Sequence, residues 1–460
     1  MPSMTRLVAV LDIGKTNAKL VVHDVATGAD LFVRTMPNTV RPGPPYPHMD
    51  TDALHAFALG ALKDAAAAHA IDAVSITTHG ASVALMAGDD LALPVLDYEH
   101  DGPDALSAAY DAARPAFAET FSPRLAGGLN VGAQLFWLER TFPDAFGRVT
   151  AILPYPQYWA FRLTGVMAAE VTSLGCHTDL WRPADGTPSS LATEAGWAAR
   201  LPPVRSAFEA LGPVSPAVVA ATGLKAGTPV HCGIHDSNAS LLPHLMTRRA
   251  PFAVVSTGTW VVIFAVGGRP DGLDPGRDTL ANVDAFGRPV PGARFMGGRE
   301  VELLTGGRPE TPDRATLDRV IEQGVMALPT FVPKSGPFPN GKGRWTTDPD
   351  RLSAAERTAA ASLYAALMTA EALGLAGARG PVVIEGPFAR NAVFTSALAA
   401  LVPDPVLPVE GATGTSAGAA LLALGPEGRP TARVEPAAAV PLDGGFPAYA
   451  AHWRAAAAGS

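Results

Sequence analysis

A polar turn between two apolar strands near the start of the chain constrains the fold more than any other stretch. Residues 7–12 have the apolar pattern of a buried strand and end on Asp12, and residues 19–24 read as a second strand. Between them stand small and hydrogen-bonding residues: Gly14, Lys15, Thr16 and Asn17. Such a turn offers backbone N–H groups, a hydroxyl, an amide and a cation to a phosphate. A carboxylate at the strand end can hold Mg²⁺ through water. Most hairpins of this kind are only turns, so the interpretation needs a second one downstream.

That second hairpin lies at residues 254–266, where four residues separate two apolar strands: Ser256, Thr257, Gly258 and Thr259. Two hydroxyl-and-glycine hairpins, one in each half of the chain, indicate an internal duplication around a bound nucleotide. A length of 460 residues is too great for one ordinary core, and 48% hydrophobic residues suffice for two. The sequence therefore predicts two domains.

Charge and cysteine usage narrow the class of protein. The net charge of −8 and the lack of a basic run argue against a nucleic-acid surface. Cys176 and Cys232 lie far apart and match no metal-binding spacing, which indicates thiols in a reducing compartment. The N-terminal residues lack a secretory pattern, and the chain has no run of about 18 apolar residues. We expect a soluble, cytoplasmic protein without a nucleic-acid or membrane partner.

Polar residues follow two apolar runs in the first half of the chain. Two threonines and His79 follow the run 71–76. Polar residues at the end of a buried strand commonly line a cleft in open α/β sheets. Asp97 opens the polar cluster 97–101 after another apolar run. The cluster could form part of a site or lie in a solvated loop. The solvated loop is the simpler interpretation, and both stay open.

Two further candidates lie between these runs and the middle of the chain. Gln134 belongs to an aromatic-rich helical pattern, and such residues more often form core than a site. Glu170 lies in a segment, 168–183, that shows no clean helical stripe. His177 in the same segment is more simply a hydrogen-bonded structural histidine.

The pair His235–Asp236 stands where an apolar strand passes into a helical pattern. A carboxylate at this junction can take a proton from a substrate hydroxyl. An aspartate at the start of a helix can equally serve as an N-cap. The sequence of this segment alone leaves the two interpretations balanced.

The last two hundred residues contain fewer clear signals. Residues 267–350 are rich in glycine and proline and predict loops, with short strands near 289–296. A long alanine-rich helix is predicted from Ser353 to about Leu375. Two strand–turn–helix patterns follow, and their turns contain small and polar residues that let a planar or phosphorylated ligand approach: Gly386, Arg390, Asn391, Gly414 and Ser416.

Taken together, these motifs resemble those of the FGGY carbohydrate kinases, within the superfamily of sugar kinases, actin and Hsp70 ATPases. The matching stretches are LDIGKTNAKL, YWAFRLTGVMAAEVTS, GIHDSNASL, STGTW, VVIEGPFARN and GATGTSAGAALLA, in that order over residues 6–424. The resemblance implies an α/β protein with two ribonuclease-H-like domains, of the actin-like ATPase type, flanking a central cleft. Their limits would be 1–243 for sugar binding and the catalytic acid, and 244–460 for adenosine binding.

The resemblance also implies a role for each matching residue. Asp12 would be the Mg²⁺-associated acid and Asp236 the general base that deprotonates the sugar. ATP would contact residues of both hairpins and of the last two turns: Gly14, Lys15, Thr16, Asn17, Thr257, Gly258, Thr259, Gly386, Asn391, Gly414 and Ser416. The sugar would contact His79, Asp97, Gln134, Glu170, His235 and Asp236. ATP and Mg²⁺ are the implied cofactors, the implied partners are a small sugar and ATP, and the resemblance leaves a homodimer open.

The His-Asp pair at 235–236 is similar to that of the kinases acting on L-fuculose and L-rhamnulose. It therefore implies phosphorylation of a terminal hydroxyl of an L-deoxyketohexose. The alternatives are another ketose or polyol, namely xylulose, ribulose, erythrulose or glycerol, or a non-phosphorylating ATPase of the actin and Hsp70 type. His235 can equally brace its loop without touching the sugar.

Overall fold

A computed structural model describes residues 6–409, 414–430 and 436–459 of the chain. These residues form two compact units. The first comprises residues 6–248, 281–289 and 414–430, and the second comprises 249–280, 290–409 and 436–459. Both are built from helices and sheets together, as the α/β prediction requires.

The first 248 residues contain fourteen of the described strands and ten of the described α-helices. The strands are β1 (Leu7–Ile13), β2 (Asn17–Asp24), β3 (Ala29–Pro37), β4 (Val40–Arg41), β5 (His48–Met49), β6 (Ala73–Thr78), β7 (Val83–Ala87), β8 (Asp90–Leu93), β9 (Ala151–Pro154), β10 (Trp181–Arg182), β11 (Thr187–Pro188), β12 (Ala210–Pro213), β13 (Pro229–His231) and β14 (Ile234–His235). The helices are α1 (Thr51–Ala68), α2 (Ser107–Ala113), α3 (Phe117–Thr120), α4 (Val131–Thr141), α5 (Pro143–Gly147), α6 (Tyr155–Thr164), α7 (Val171–Leu174), α8 (Ser190–Glu194), α9 (Pro216–Thr222) and α10 (Asp236–Thr247).

The remaining elements follow in chain order. The strands are β15 (Phe252–Thr257), β16 (Val261–Val266), β17 (Thr279–Val283), β18 (Pro289–Phe295), β19 (Ala327–Leu328), β20 (Arg344–Trp345), β21 (Val382–Glu385) and β22 (Val406–Pro408). The helices are α11 (Gly297–Thr305), α12 (Arg314–Glu322), α13 (Ala354–Leu375), α14 (Ala392–Leu401), α15 (Thr415–Ala420) and α16 (Phe446–Ala458). Of these helices, α15 belongs to the first unit.

The main sheet of the first unit has the strand order β12-β13-β6-β1-β2-β3, and β14 also pairs with β6. Strands β1 and β2 form the predicted antiparallel hairpin, whereas β6 runs parallel to both β1 and β14. Alternate residues of β1 point to opposite faces. Ala9 and Leu11 pack with α1 and α6, and Val8 and Val10 pack with α10 and α15. Because helices cover both faces, the strand is apolar throughout rather than alternating.

The second unit repeats this arrangement around its own hairpin. Strands β15 and β16 are antiparallel, and β15 runs parallel to β21 in a sheet of order β17-β18-β16-β15-β21-β22. The prediction of short strands near 289–296 is confirmed by β18. The prediction of loops over the rest of 267–350 is wrong for α11 and α12. Both helices have only nine residues, so their apolar stripes are short beside the flanking glycines and prolines.

Helix α13 confirms the predicted alanine-rich helix. It begins after Ser353, whose hydroxyl accepts a hydrogen bond from the Glu356 N–H while the Glu356 carboxylate accepts one from the Ser353 N–H. The helix is long and apolar enough to cross a membrane, but 72% of its most apolar window is buried inside the protein. Its side chains form the core of the second unit with α11, α14 and α16.

Helix α15 approaches α10 closely because Gly418 has no side chain. A Cβ atom added there would lie 1.8 Å from the carbonyl oxygen of Ala239. Gly60 of α1 offers a contrast, because its nearest non-local atom would lie 3.8 Å away, on the Arg34 side chain.

We predict that Gly418→Ala lowers the free energy of unfolding by about 1–3 kcal/mol, because α15 must move away from α10. Gly60→Ala is the matched control and should leave stability unchanged or raise it by about 0.5–1 kcal/mol. Thermal and urea unfolding followed by circular dichroism measures both. Equal stability of the two variants would contradict the close helix contact.

Candidate active site

The register of three neighbouring strands gathers the predicted catalytic residues of the first unit. Asp12 on β1 lies opposite Thr77 on β6, and His235 on β14 lies opposite Thr78. The parallel strands β1, β6 and β14 therefore end at one edge of the sheet. Asp12 is the penultimate residue of β1, and His79 and Asp236 directly follow β6 and β14, so all three stand at that edge.

Asp12 is buried, and one of its carboxylate oxygens is held by hydroxyl groups of α15. The Thr415 and Ser416 hydroxyls both donate to Oδ2 of Asp12, the latter over 2.6 Å, and Nζ of Lys19 lies 4.0 Å from the same oxygen. Ser416 was predicted to hold adenosine, and here its hydroxyl binds the acid of the first hairpin. Gly414 directly precedes α15. Residues 411–413, which open the motif GATGTSAGAALLA, lie outside the described residues.

Asp236 is the first residue of α10, and its side chain is 29% exposed. Its Oδ1 accepts hydrogen bonds from the backbone N–H and the hydroxyl of Ser237, and Nε2 of His235 lies 3.1 Å away. Burial raises the pKa of Asp236 to about 6, and the negative charge of Asp12 adds to the rise. A carboxylate with this pKa is still ionised at neutral pH, yet it is a stronger base than an ordinary aspartate.

His79 lies beside this carboxylate with its ring buried. Nδ1 hydrogen-bonds the carbonyl oxygen of Gly80 over 2.9 Å, and Nε2 has no hydrogen-bond partner among the described residues. The rings of Tyr98 and Tyr155 pack against the imidazole. Burial lowers the pKa of His79, so its ring is neutral at pH 7. A buried, unsatisfied ring nitrogen next to a candidate base suits a substrate hydroxyl.

Lys15 of the first hairpin points to acids of the same unit. Its Nζ forms a short ion pair with Asp97, lies 3.2 Å from Oε2 of Glu99 and stands 4.7 Å from the centre of the Tyr98 ring. The cluster 97–101 is therefore tied to the hairpin rather than left as a solvated loop. Thr16 and Asn17 are exposed at the hairpin tip, and the Gly14 N–H donates to the Asn17 carbonyl.

Gln134 and Glu170 are both buried and both bind the protein itself. The side-chain amide of Gln134 donates to the carbonyl oxygens of Ala81 and Gly128. The Glu170 carboxylate is the N-cap of α7. Burial raises the pKa of Glu170 to about 7 in spite of these hydrogen bonds. Their contact with sugar stays a prediction.

The second hairpin is braced against the turn after β21. The Thr257 hydroxyl donates to the Glu385 carbonyl and accepts a hydrogen bond from the Phe388 N–H over 3.1 Å. Gly386 has a positive φ of 83°, and a Cβ atom there would lie 2.0 Å from the Thr257 carbonyl oxygen. Glycine is therefore required where the two predicted ATP-binding turns meet. Gly258 and Thr259 are exposed beyond this contact.

Asn391 has a structural role at the start of α14. Its Oδ1 accepts a hydrogen bond from the Phe394 N–H over 3.1 Å, and its Nδ2 donates to the Ser362 hydroxyl over 2.8 Å. Both ends of the amide are thus engaged within the second unit. A contact between Asn391 and adenosine stays a prediction.

Sequence reasoning missed four residues that touch the candidate site: Thr172, Cys176, Asn238 and Thr415. Three of them, Thr172, Asn238 and Thr415, lie within the quoted motif stretches, and a hydroxyl or amide there could have been suspected. No sequence signal shows that Thr172 and Cys176 reach His235, because that contact joins residues about sixty positions apart.

The donors at this edge fit the implied magnesium ion. Among the described residues no three His, Cys, Asp or Glu side chains cluster as a metal site. Mg²⁺ in nucleotide sites usually takes one or two carboxylates together with phosphate oxygens and water. Asp12 is such a carboxylate, and its repulsion of Asp236 is the kind of charge excess that a cation relieves.

Known sequences and structures now decide the family. Residues 124–243 match the N-terminal domain of the FGGY family of carbohydrate kinases, and residues 249–432 match the C-terminal domain of carbohydrate kinase FGGY. A carbohydrate kinase from Novosphingobium aromaticivorans with a solved structure is 38% identical, with a TM-score of 0.90 over 98% of this chain and 100% of that one. The chain belongs to the FGGY family. The resemblance to the FGGY family and the two-domain, actin-like fold class inferred from the motifs are confirmed.

Two curated relatives resemble this FGGY protein over shorter stretches. The "Probable L-xylulose kinase" of Pasteurella multocida (strain Pm70) is 31% identical over 136 residues, which are 29% of this chain and 28% of the relative. The L-xylulose/3-keto-L-gulonate kinase of Escherichia coli (strain K12) is 29% identical over 168 residues, 35% of this chain and 32% of the relative. The similarity thus spans less than a third of either relative.

We predict that Thr257→Val lowers the free energy of unfolding by about 1–3 kcal/mol, because the buried Phe388 N–H loses its acceptor. Thr257→Ser keeps the hydroxyl and loses only a methyl group, so its cost should be about 1 kcal/mol. Urea unfolding of the two variants beside the unsubstituted protein measures the difference. A Val variant at least as stable as the Ser variant would show that this hydroxyl does not brace the hairpin.

Proposed function

We propose that this FGGY protein transfers the γ-phosphoryl group of ATP to a terminal hydroxyl of a ketose. The observation that carries the proposal is Asp236, a carboxylate at a strand end whose pKa is raised to about 6. A neutral buried histidine, His79, stands beside it, and one of its ring nitrogens has no hydrogen-bond partner in the described part of the chain. A protein that only hydrolyses ATP needs neither group, whereas a sugar kinase needs both a base and a hydroxyl-binding partner.

In the proposed reaction the Asp236 carboxylate accepts the proton of the sugar hydroxyl, whose oxygen attacks the γ-phosphorus in line with the leaving ADP oxygen. Backbone N–H groups and hydroxyls of the first hairpin stabilise charge on the phosphoryl oxygens. Bound Mg²⁺ would neutralise charge on the β- and γ-phosphates, with Asp12 as its protein ligand. The base contributes about 10²–10⁴-fold, and positioning supplies most of the rest.

The charges at this edge favour a neutral sugar over a sugar acid. Carboxylates outnumber cations there, with Asp12, Asp97, Glu99 and Asp236 against Lys15 and Lys19. The Lys15 charge is already paired with Asp97, so a substrate carboxylate would meet net repulsion. A ketose without an ionised group meets no such cost.

Two classes of neutral L-ketose are supported by different observations. The names of the curated relatives support L-xylulose. The motif resemblance of His235–Asp236 supports an L-deoxyketohexose, L-fuculose or L-rhamnulose. Protein groups enclose the His235 ring, which leaves it little surface with which to contact a sugar. The motif argument for a deoxyketohexose depends on that contact, so we place L-xylulose first. We place the activity in the cytoplasm, which agrees with two cysteines that form no disulfide.

A substrate panel with coupled ADP detection and a no-sugar control tests the function. We expect L-xylulose or an L-deoxyketohexose to exceed glycerol and 3-keto-L-gulonate at least tenfold in kcat/KM, about 1.4 kcal/mol of transition-state binding. Equal ADP release with and without every sugar would favour the ATPase alternative. A preference for the sugar acid would overturn the charge argument but not the kinase proposal.

Replacement of the base tests the role of Asp236. Asp236→Asn should fold normally and bind ATP, yet lose about 10²–10⁴-fold in kcat because the amide cannot accept the proton. Asp89→Asn, at an exposed turn, is the control and should keep full activity. Undiminished sugar-dependent turnover in Asp236→Asn would leave Asp236 only as the first residue of its helix.

The role of Asp12 is tested through the metal dependence. Asp12→Asn keeps an oxygen for the Thr415 and Ser416 hydroxyls but removes the charge. We expect a higher Mg²⁺ concentration for half-maximal rate and little change in sugar affinity measured by calorimetry. An unchanged Mg²⁺ dependence would exclude Asp12 as the metal-associated acid.

A further inference from the structure

Protein groups surround the His235 ring. It is about 5% exposed. Nδ1 lies 3.4 Å from Nδ2 of Asn238, and Nε2 lies 3.1 Å from Oδ1 of Asp236 and 3.7 Å from the sulfur of Cys176. A Cβ atom on Gly80 would stand 2.7 Å from Nε2, so only glycine leaves room for the ring.

These contacts select one protonation state of the imidazole. Burial lowers the pKa of His235 to about 4, so the ring is neutral at pH 7 and carries one proton. An amide nitrogen can only donate, and Nδ1 must therefore accept from Asn238. The single ring proton then sits on Nε2, which lies 3.1 Å from Oδ1 of Asp236 and 3.7 Å from the Cys176 sulfur.

The backbone of His235 is held just as firmly from the other side. Its N–H donates to the Thr172 hydroxyl over 3.1 Å, and that hydroxyl donates to Oε2 of Glu170. The same carboxylate accepts hydrogen bonds from the Thr172 and Ser173 N–H groups. All the residues joined by these hydrogen bonds are buried except Ser173. Glu170 thus acts on the site through Thr172.

We propose that Asn238, Thr172 and Glu170 are positioning residues for His235. Asn238 holds the ring as its Nε2–H tautomer, while Thr172 and Glu170 fix the backbone, so that Nε2–H donates to Oδ1 of Asp236 and Oδ2 receives the substrate proton. Both hydrogen bonds that Ser237 donates to this carboxylate end on Oδ1, and Nε2 of His235 lies 3.1 Å from the same atom. The inference rests on the proposed kinase function. It assigns His235 to orienting the base rather than to recognising the sugar.

Kinetics of two His235 variants test the proposal. The side-chain amide of His235→Gln can replace the Nε2–H donor, whereas His235→Leu cannot. For the unsubstituted enzyme, kcat/KM should fall as the pH drops below about 6, because protonated Asp236 cannot act as a base. The charges of Asp12 and His79 also act on the Asp236 carboxylate, and that of Lys15 acts on His79. All three residues are unchanged in both variants.

In His235→Leu the acid limb should move up by about one pH unit, since the ionised carboxylate loses a charge-assisted hydrogen bond, and kcat should fall about tenfold. In His235→Gln the acid limb should move by less than about half a pH unit, and most of kcat should remain. A rise of the sugar KM at unchanged kcat and unchanged pH profile in both variants would overturn the proposal and make His235 a sugar contact.

A measurement without turnover separates this proposal from the kinase proposal. Long-range ¹H–¹⁵N NMR of histidine-labelled protein reports the tautomer of each ring, and the His235 signals are those absent from His235→Gln. We expect the neutral Nε2–H form at pH 7, and a mixture of both tautomers in Asn238→Leu. A proton on Nδ1 in the unsubstituted protein would overturn the inference whether or not any sugar is phosphorylated. Absence of activity with every sugar, beside the expected tautomer, would instead reject the kinase function.

Discussion

The parallel pairing of β1 and β14 with the central strand β6 is the constraint on which the candidate site depends. It aligns three strand ends, so that Asp12, His79 and Asp236 meet at one edge of the sheet although more than two hundred residues separate the first from the last. Helices on both faces bury the three strands and exclude water from the residues that precede this edge. The chemistry of each side chain follows from that burial.

Burial changes these groups in opposite directions. The Asp236 carboxylate becomes a stronger base because its charged form is poorly solvated, while His79 and His235 lose their protons for the same reason. The result is a base flanked by neutral donors and acceptors rather than by competing cations. Lys15, whose charge acts on His79, is already paired with Asp97.

The second unit supplies a hairpin of the same design but with a different support. In the first unit the hairpin acid Asp12 is held by two hydroxyls from α15. In the second unit a threonine hydroxyl fastens the hairpin to the turn after the neighbouring strand, and Gly386 permits the close approach. Duplicated hairpins can therefore present the same backbone N–H groups while different side chains stabilise each.

The sequence by itself determined the two hairpins, the long helix α13, the pair at 235–236 and the family. These signals are local, because a turn, a capping box or a motif of ten residues carries its own pattern. It missed α11 and α12, whose short stripes are hidden among glycines and prolines. Only the tertiary structure decided what each motif residue touches. The hydroxyl of Ser416 binds Asp12, Lys15 binds Asp97, and Glu170 reaches His235 through Thr172. Such contacts join distant segments, and their geometry depends on strand register and helix packing, which no local pattern encodes.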